Sequence, residues 1–210
     1  MSYDIRYITQ FGDQVELTRS FNCSKLIEDT EYFKPIWSRY NPRKNIERYG
    51  LCVLNDKGRL GPGPALDSLW EYNNENGTNI NETDCNVPTE LYTYSEELQD
   101  KLEDILHWCC RTHFIKLNPG GFFPVHRDHK FGEQNTFRLI VPVANCNPPH
   151  CRFMIEDRTL HWNHGKMYAV DTTKAHTLFN ASMRDSIWLV INALVCEESV
   201  DFVCKNLAIK

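Results

Sequence analysis

The chain has 210 residues, of which 41% are hydrophobic and 24% are charged, and its formal net charge is −5 at pH 7. This length and composition are typical of one globular domain, while the acidic balance argues against a nucleic-acid backbone as the main partner. The sequence has no apolar run of the roughly 20 residues that span a membrane, and its N-terminus lacks the basic and apolar segments of a signal peptide. We therefore expect a cytoplasmic protein of one domain, residues 1–210, that contacts neither nucleic acid nor membrane.

The first 112 residues predict a helix-rich part with one long loop region. Helices are expected near residues 20–33 and 65–72, and Ser95 is a good N-cap for the clearest helix, whose apolar face continues to about Arg111. Residues 55–90 are rich in Gly, Pro, Asn and acidic residues, which is typical of long loops. Such a loop either lies over a functional site or is mobile, and the sequence favours neither interpretation.

The rest of the chain predicts β structure. Short segments rich in β-branched and aromatic residues follow one another, separated by turn signals: HFIKLN, FRLIVPV, RFMIE, KMYAVD, HTLFN and SIWLVINALV. About six to eight strands of this kind most easily close into a sandwich or a jelly-roll barrel. We therefore expect a mainly β fold with flanking helices, in which residues 1–112 pack on a jelly-roll core of residues 113–204.

The segment PGGFFPVHRDHK contains the strongest candidate for a metal site. His126 and Asp128 are two residues apart, so on a strand they point to the same face. Taken alone, the pair is equally compatible with a surface turn. His176 follows 50 residues after His126, at the start of a later strand. Two histidines and one carboxylate form the facial triad of non-haem Fe(II) oxygenases, whose open positions can hold a bidentate cosubstrate and O₂.

Two arginines flank the strands of this candidate site. Arg138 begins FRLIVPV, and Arg184 precedes SIWLVIN. An arginine that enters a barrel interior is costly unless it meets an anion, and a carboxylate bound bidentately is the best match. Either arginine alone suggests a surface ion pair, whereas both together favour a site for an anionic cosubstrate.

A second group, in the segment CNPPHC, invites a zinc interpretation. Structural zinc sites use four ligands in paired spacings, and Cys146, His150 and Cys151 supply three across a Pro-Pro turn. A hairpin loop with incidental cysteines is favoured. Most of the nine cysteines of the chain are expected to be free thiols, as in a reducing compartment.

The order PGGFFPVHRDH, FRLIVPV, HGKMYAVDTTKAHTLFN and MRDSIWLVI resembles the aspartyl/asparaginyl β-hydroxylase-like 2-oxoglutarate oxygenases, a group that includes free-proline hydroxylases. The resemblance covers residues 114–193 and implies a double-stranded β-helix, the cupin-like form of the jelly roll. It implies that His126, Asp128 and His176 bind iron and that Arg184 binds the distal carboxylate of 2-oxoglutarate. Arg138 would be a second cosubstrate-binding arginine.

The sequence departs from the vertebrate-type peptide hydroxylases of this group at three positions. Those enzymes lack the carboxylate ligand that Asp128 would supply. Ile140 stands where they have a histidine, and Ile115 stands where they have a serine that helps to hold the cosubstrate. The site therefore resembles the bacterial small-molecule members more closely.

The resemblance implies an enzyme that uses Fe(II), 2-oxoglutarate and O₂. It would hydroxylate an unactivated C–H bond of an amino-acid-like small molecule or a peptidyl residue, and would release succinate and CO₂. A cupin-like metal enzyme that uses no 2-oxo acid and a non-catalytic barrel that only binds a ligand are the alternatives. Trp70, Tyr72 and His129 are weak candidates for substrate contacts, and the oligomeric state is not indicated.

Overall fold

The structure, a computed structural model, describes residue 4, residues 6–128 and residues 135–208. The α-helices of these residues are α1 Arg6–Thr9, α2 Cys23–Tyr32, α3 Leu69–Asn76, α4 Glu90–Tyr94, α5 Glu96–Leu102 and α6 Glu197–Lys205. The β-strands are β1 Gln14–Ser20, β2 Ser38–Arg39, β3 Arg48–Cys52, β4 Leu54–Asn55, β5 Val87–Pro88, β6 Cys109–Leu117, β7 Phe122–His126, β8 Thr136–Ala144, β9 Cys151–Ile155, β10 Arg158–Thr159, β11 Lys166–Val170, β12 His176–Asn180 and β13 Ser186–Leu194.

The strands of the second half alternate between two antiparallel sheets. The larger sheet has the order β1-β11-β8-β13-β6-β3-β2, and the smaller has the order β10-β9-β12-β7. Consecutive strands β6 to β9 and β11 to β13 therefore cross from one sheet to the other. This arrangement is a jelly-roll, double-stranded β-helix flanked by helices, and it confirms the fold predicted from the sequence.

The larger sheet is buried on both faces. On its outer face, helices and strand side chains form one core that includes Leu26, Leu98 and Leu189. On its inner face, residues such as Ile140 and Trp188 pack towards the smaller sheet in a second core. Strands buried on both faces read as nearly continuous apolar runs, which explains the segments FRLIVPV and SIWLVINALV.

The N-terminal part contributes strands as well as helices. Strands β1, β2 and β3 belong to the larger sheet, and β6 begins at Cys109, so residue 112 lies inside a strand. Ser95 caps α5 as expected, because its Oγ accepts the N–H of Leu98 (3.2 Å).

The end of this helix was predicted wrongly. Helix α5 ends at Leu102 and not near Arg111, and a 3₁₀ turn and strand β6 follow it. Ile105 and Cys109 are buried in that turn and strand, so the apolar pattern continues after the helix has ended. Among the described residues, no helix has the length and apolar character of a membrane span.

The turn before β7 brings two segments close together. Gly120 has a φ of 78° with open space around it, whereas a Cβ on Gly121 would clash with the backbone carbonyl oxygen of Glu47. The same carbonyl accepts the N–H of Asn118 (3.1 Å). Gly121 therefore permits the contact between the PGG turn and the segment that leads into β3.

We expect Gly121→Ala to lower the free energy of unfolding by about 3 kcal/mol, because backbone must move to make room. Gly120→Ala is the matched control and is expected to cost about 1 kcal/mol through its left-handed φ alone. Urea denaturation of both variants measures the difference. Equal losses would contradict the close approach at Gly121.

Candidate active site

The two histidines and the aspartate selected from the sequence meet at the edge of the smaller sheet. Strands β7 and β12 pair so that His126 lies directly opposite His176. Asp128 Oδ1 lies 3.4 Å from Nε2 of His126 and 3.7 Å from Nε2 of His176. The three candidate ligand atoms lie within 4.8 Å of one another, and the described residues contain no other group of this kind.

Backbone carbonyls set the orientation of both imidazole rings. Nδ1 of His126 lies 2.7 Å from the carbonyl oxygen of Pro124, and Nδ1 of His176 lies 3.0 Å from that of Lys174. Because a carbonyl oxygen only accepts, each Nδ1 carries its hydrogen, and Nε2 of the neutral ring keeps a lone pair. Two such nitrogens and one carboxylate oxygen fit a divalent metal such as Fe(II), with further positions open.

The charges around the three side chains favour an ionised aspartate. Burial acts to raise the pKa of Asp128, but the Arg138 guanidinium and the two imidazoles outweigh it and hold this pKa well below its usual range. Burial also acts to lower the pKa of His126, yet the hydrogen bond and charge of Asp128 raise it overall. The pKa of His176 is lowered, mainly by burial. A metal ion would therefore meet a carboxylate and would compete with a proton chiefly at His126.

Arg138 holds the aspartate from the other side. Its Nε lies 3.0 Å from Oδ2 of Asp128 in an ion pair, and Oδ1 is the oxygen nearest the two histidines. Its two terminal nitrogens donate to the carboxylate of Glu82 at 3.2 and 3.1 Å. Arg138 thus lies at the site, as expected, with protein carboxylates as partners in this structure.

Glu82 is a site residue that sequence reasoning missed. It lies in the Asn-rich loop, residues 77–86, which follows α3. Besides Arg138, it accepts from Nη1 of Arg111 (2.8 Å) and from Oγ1 of Thr136 (2.9 Å). Arg111 also donates to the backbone carbonyls of Ala65 and Asp67. The loop therefore reaches into the barrel, which favours the functional interpretation of this segment over simple mobility. An acidic residue among several in a loop gives no local signal of such a contact.

A cavity of about 120 Å³ lies between the sheets next to the three candidate ligands. For comparison, a closed cavity of roughly 150 Å³ holds a benzene molecule. One part of the wall is apolar and includes Ile115, Ile140 and Trp188, and another part is polar and includes Tyr40 and Asn192. The two isoleucines that depart from the peptide hydroxylases thus line this cavity.

Two buried polar atoms of the cavity wall have no hydrogen-bond partner in the described part of the chain, namely Nε2 of His113 and Oδ1 of Asn192. Nδ1 of His113 lies 3.0 Å from the carbonyl oxygen of Arg111, so Nδ1 carries the hydrogen and Nε2 is an acceptor. Burial, aided by the charge of Arg111, lowers the pKa of His113 to about 3. The ring is therefore neutral at pH 7, and the polar wall can accept a hydrogen bond from a ligand.

The structure does not place Arg184 among the residues that line this cavity. Arg184 is exposed and lies in the turn before β13. Asn180 Nδ2 donates to its carbonyl oxygen (2.7 Å), and its own N–H donates to Oγ of Ser182 (3.1 Å). The chain enters the sheet only at Ser186, so Trp188 takes the position that lines the cavity.

The weaker candidates do not join the site either. Trp70 is 74% exposed, Tyr72 lines a separate surface depression, and His129 lies outside the described residues. The buried thiol of Cys146 faces backbone carbonyl oxygens, and His150 is exposed. The structure thus does not assemble the zinc site that the segment CNPPHC suggested.

Solved structures resemble this chain in fold. An oxidoreductase of the 2OG-Fe(II) oxygenase family from Burkholderia pseudomallei shares 10% identity, with 90% of this chain and 89% of that chain covered and a TM-score of 0.50. A Pseudomonas putida prolyl-4-hydroxylase shares 10% identity over 90% of this chain and 95% of its own, with a TM-score of 0.48. A cupin domain from Bordetella pertussis shares 17% identity over 39% and 78%, with a TM-score of 0.31. At these identities, the likeness concerns the fold alone.

At the level of sequence, no curated protein matches the chain. A family model does, and its description is aspartyl/asparaginyl beta-hydroxylase. The match covers residues 75–194, which include the Glu82 loop and every strand from β6 to β13. It spans more than half of the chain and contains His126, Asp128 and His176. The chain therefore belongs to the aspartyl/asparaginyl β-hydroxylase family.

Proposed function

We propose that the protein is an Fe(II)/2-oxoglutarate-dependent oxygenase. In this proposal it hydroxylates an unactivated C–H bond of an amino-acid-like small molecule or a peptidyl residue, and it releases succinate and CO₂. The observation that carries the proposal is the convergence of His126, Asp128 and His176, whose candidate ligand atoms lie within 4.8 Å of one another beside a cavity. We also propose a cytoplasmic location, since all nine cysteines are free thiols, as in a reducing compartment.

His126, Asp128 and His176 would hold the iron, and the iron with 2-oxoglutarate and O₂ would supply the oxidising chemistry. The protein supplies position and exclusion of water. The ring of Phe153 stacks on His176 at 5.9 Å between centroids, and Phe123 lies 6.0 Å from His126. These rings shield the candidate ligands from water. The ion pair with Arg138 keeps Asp128 ionised and keeps its Oδ2 away from the histidines.

A cupin-like metal enzyme that uses no 2-oxo acid is the second candidate. The exposed position of Arg184 favours it, because the arginine that the family resemblance assigned to the distal carboxylate is outside the cavity. This alternative shares the metal site and differs in the need for a 2-oxo acid. It is therefore separated from the main proposal by a chelation experiment.

We expect anaerobic addition of Fe(II) and 2-oxoglutarate to the metal-free protein to produce a weak visible charge-transfer band that needs both components. His176→Ala should abolish the band, because one of three ligands is lost. His150→Ala is the matched control, since this histidine is exposed and away from the site, and it should keep the band. Iron binding without a band would favour the second candidate, and absence of iron binding would contradict both.

We expect Arg138→Met to weaken Fe(II) affinity by about 10–100-fold, the usual effect of removing a partner that orients a metal ligand. The variant removes the guanidinium that holds Oδ2 of Asp128 and lowers its pKa, so the loss should grow as the pH falls. Arg184→Met is the matched control and should leave the affinity unchanged. Calorimetric titration at pH 6 and pH 8 provides the measurement, and equal affinities of the two variants would refute the role of Arg138.

A further inference from the structure

Arg48 is a buried cation without a counter-charge. The residue is 2% exposed, and its Nε donates to the carbonyl oxygen of Tyr40 (3.2 Å). In the part of the chain that the structure describes, no carboxylate lies within ion-pair distance of it. The other two buried arginines differ, because Arg111 pairs with Glu82 and Arg138 pairs with Glu82 and Asp128.

The strand register directs Arg48 into the barrel. In the pairing of β3 with β6, Arg48 lies opposite Leu117, and Gly50 lies opposite Ile115. Directly paired residues of antiparallel strands share a face of the sheet, and alternate residues of one strand do so too. Ile115 lines the cavity, so Arg48 lies on the face that is turned towards it.

The neighbours of the guanidinium are rings of the cavity wall. Cζ of Arg48 lies 4.3 Å from the ring centroid of Phe123 and 5.6 Å from that of Tyr40, and both rings line the cavity. Since the Phe123 ring lies 6.0 Å from that of His126, Cζ of Arg48 is at most about 10 Å from the His126 ring. Arg48 is not itself a lining residue, and it lies next to two rings of the cavity wall.

The rings of Phe123 and Tyr40 and the carbonyl oxygen of Tyr40 offset only part of the cost of burying the Arg48 charge. Arginine keeps its charge inside proteins, and a buried ion without an oppositely charged partner is strongly unfavourable. A planar guanidinium is matched best by a carboxylate that accepts two parallel hydrogen bonds. The missing counter-charge is therefore best supplied by a ligand.

We propose that Arg48 binds a carboxylate group of the ligand held in this cavity. The inference rests on the proposed function and deepens it, because it assigns to Arg48 the grip on the distal carboxylate of the 2-oxo acid that the family resemblance gave to Arg184. Arg111 and Arg138 are engaged by protein carboxylates, which leaves Arg48 as the buried arginine suited to this task. The same chemistry would hold a carboxylate of the substrate, and the experiment separates the two sources.

The first arm compares two cosubstrates in the Fe(II)-loaded, anaerobic protein. One is 2-oxoglutarate, and the other is 2-oxopentanoate, which has a methyl group in place of the distal carboxylate. We expect the unmodified protein to prefer 2-oxoglutarate by roughly 10–100-fold, the range of a buried charge-assisted hydrogen-bonded pair. Arg48→Met should abolish the preference. Arg48→Lys should keep part of it, since lysine keeps the positive charge but cannot donate two parallel hydrogen bonds.

Arg39→Met is the matched control for this arm. Arg39 lies on the adjacent strand β2 and also contacts an aromatic ring, with Cζ 5.6 Å from the Tyr49 centroid. It is exposed and paired with Glu47, so its loss should leave the preference intact. Thermal unfolding tests a purely structural role, because replacing a lone buried charge by an apolar side chain should not lower Tm.

The second arm titrates the metal-free protein with glutarate and follows tryptophan fluorescence, since Trp188 lines the cavity. Loss of glutarate binding in Arg48→Met with an unchanged cosubstrate preference would assign Arg48 to a carboxylate of the substrate. The inference would be overturned if Arg48→Met kept both the preference for 2-oxoglutarate and the binding of glutarate, whether or not its Tm fell. If the unmodified protein chelates neither 2-oxo acid, the proposed function fails, and the glutarate arm still decides the role of Arg48.

Discussion

The cross-strand pair of His126 and His176 is the constraint on which the site depends. Antiparallel pairing of β7 with β12 sets these residues opposite each other, and a slip by one residue would turn one of them to the other face of the sheet. Between the histidine pair and the next pair, Leu178 with Phe123, the register shifts by one residue, so the alignment of the two histidines belongs to the end of β7 alone. The pairing of β7 with β12 that forms this edge of the smaller sheet therefore also places two of the candidate metal ligands side by side.

Charged side chains next to this histidine pair form a connected series of ion pairs. Asp128 links the two imidazoles to Arg138, and Glu82 links Arg138 to Arg111. Each carboxylate of the series faces at least one guanidinium, so the buried charges of this wall compensate one another. Arg48 does not belong to this series of ion pairs. It is therefore the buried arginine that we propose to pair with a negatively charged ligand.

The sequence predicted well what depends on neighbouring residues and poorly what depends on distant ones. Local β-branched and aromatic runs predicted six of the strands from β6 to β13, all except β7 and β10. The N-cap at Ser95 follows from local capping chemistry. The end of helix α5 was missed because apolar residues after Leu102 serve a 3₁₀ turn and a strand. The position of Arg184 outside the cavity lining was not foreseen, because the spacing does not show that the strand begins only at Ser186.

Arg48 and Glu82 could not have been found in this way. Arg48 shares the inner face of the sheet with Ile115 only because β3 pairs with β6, more than 60 residues later in the chain. Glu82 reaches Arg138 across 56 positions of sequence. The roles of His126, Asp128 and His176 as iron ligands stay a prediction, although the structure brings the three side chains together.

The anchoring of the Asn-rich loop has a consequence for how proteins of this architecture can diverge. Glu82 forms ion pairs with two buried guanidinium groups, and the carbonyl oxygen of Cys85, also buried, accepts the N–H of Arg111 (2.6 Å). The stretch from Glu82 to Cys85 is thus part of the barrel wall, while Gly77 at the C-terminal cap of α3 has open space around it. Insertions that reshape this loop can accumulate near Gly77. An insertion between Glu82 and Cys85 would instead disturb the ion pairs of Arg111 and Arg138 and leave their buried charges without this partner.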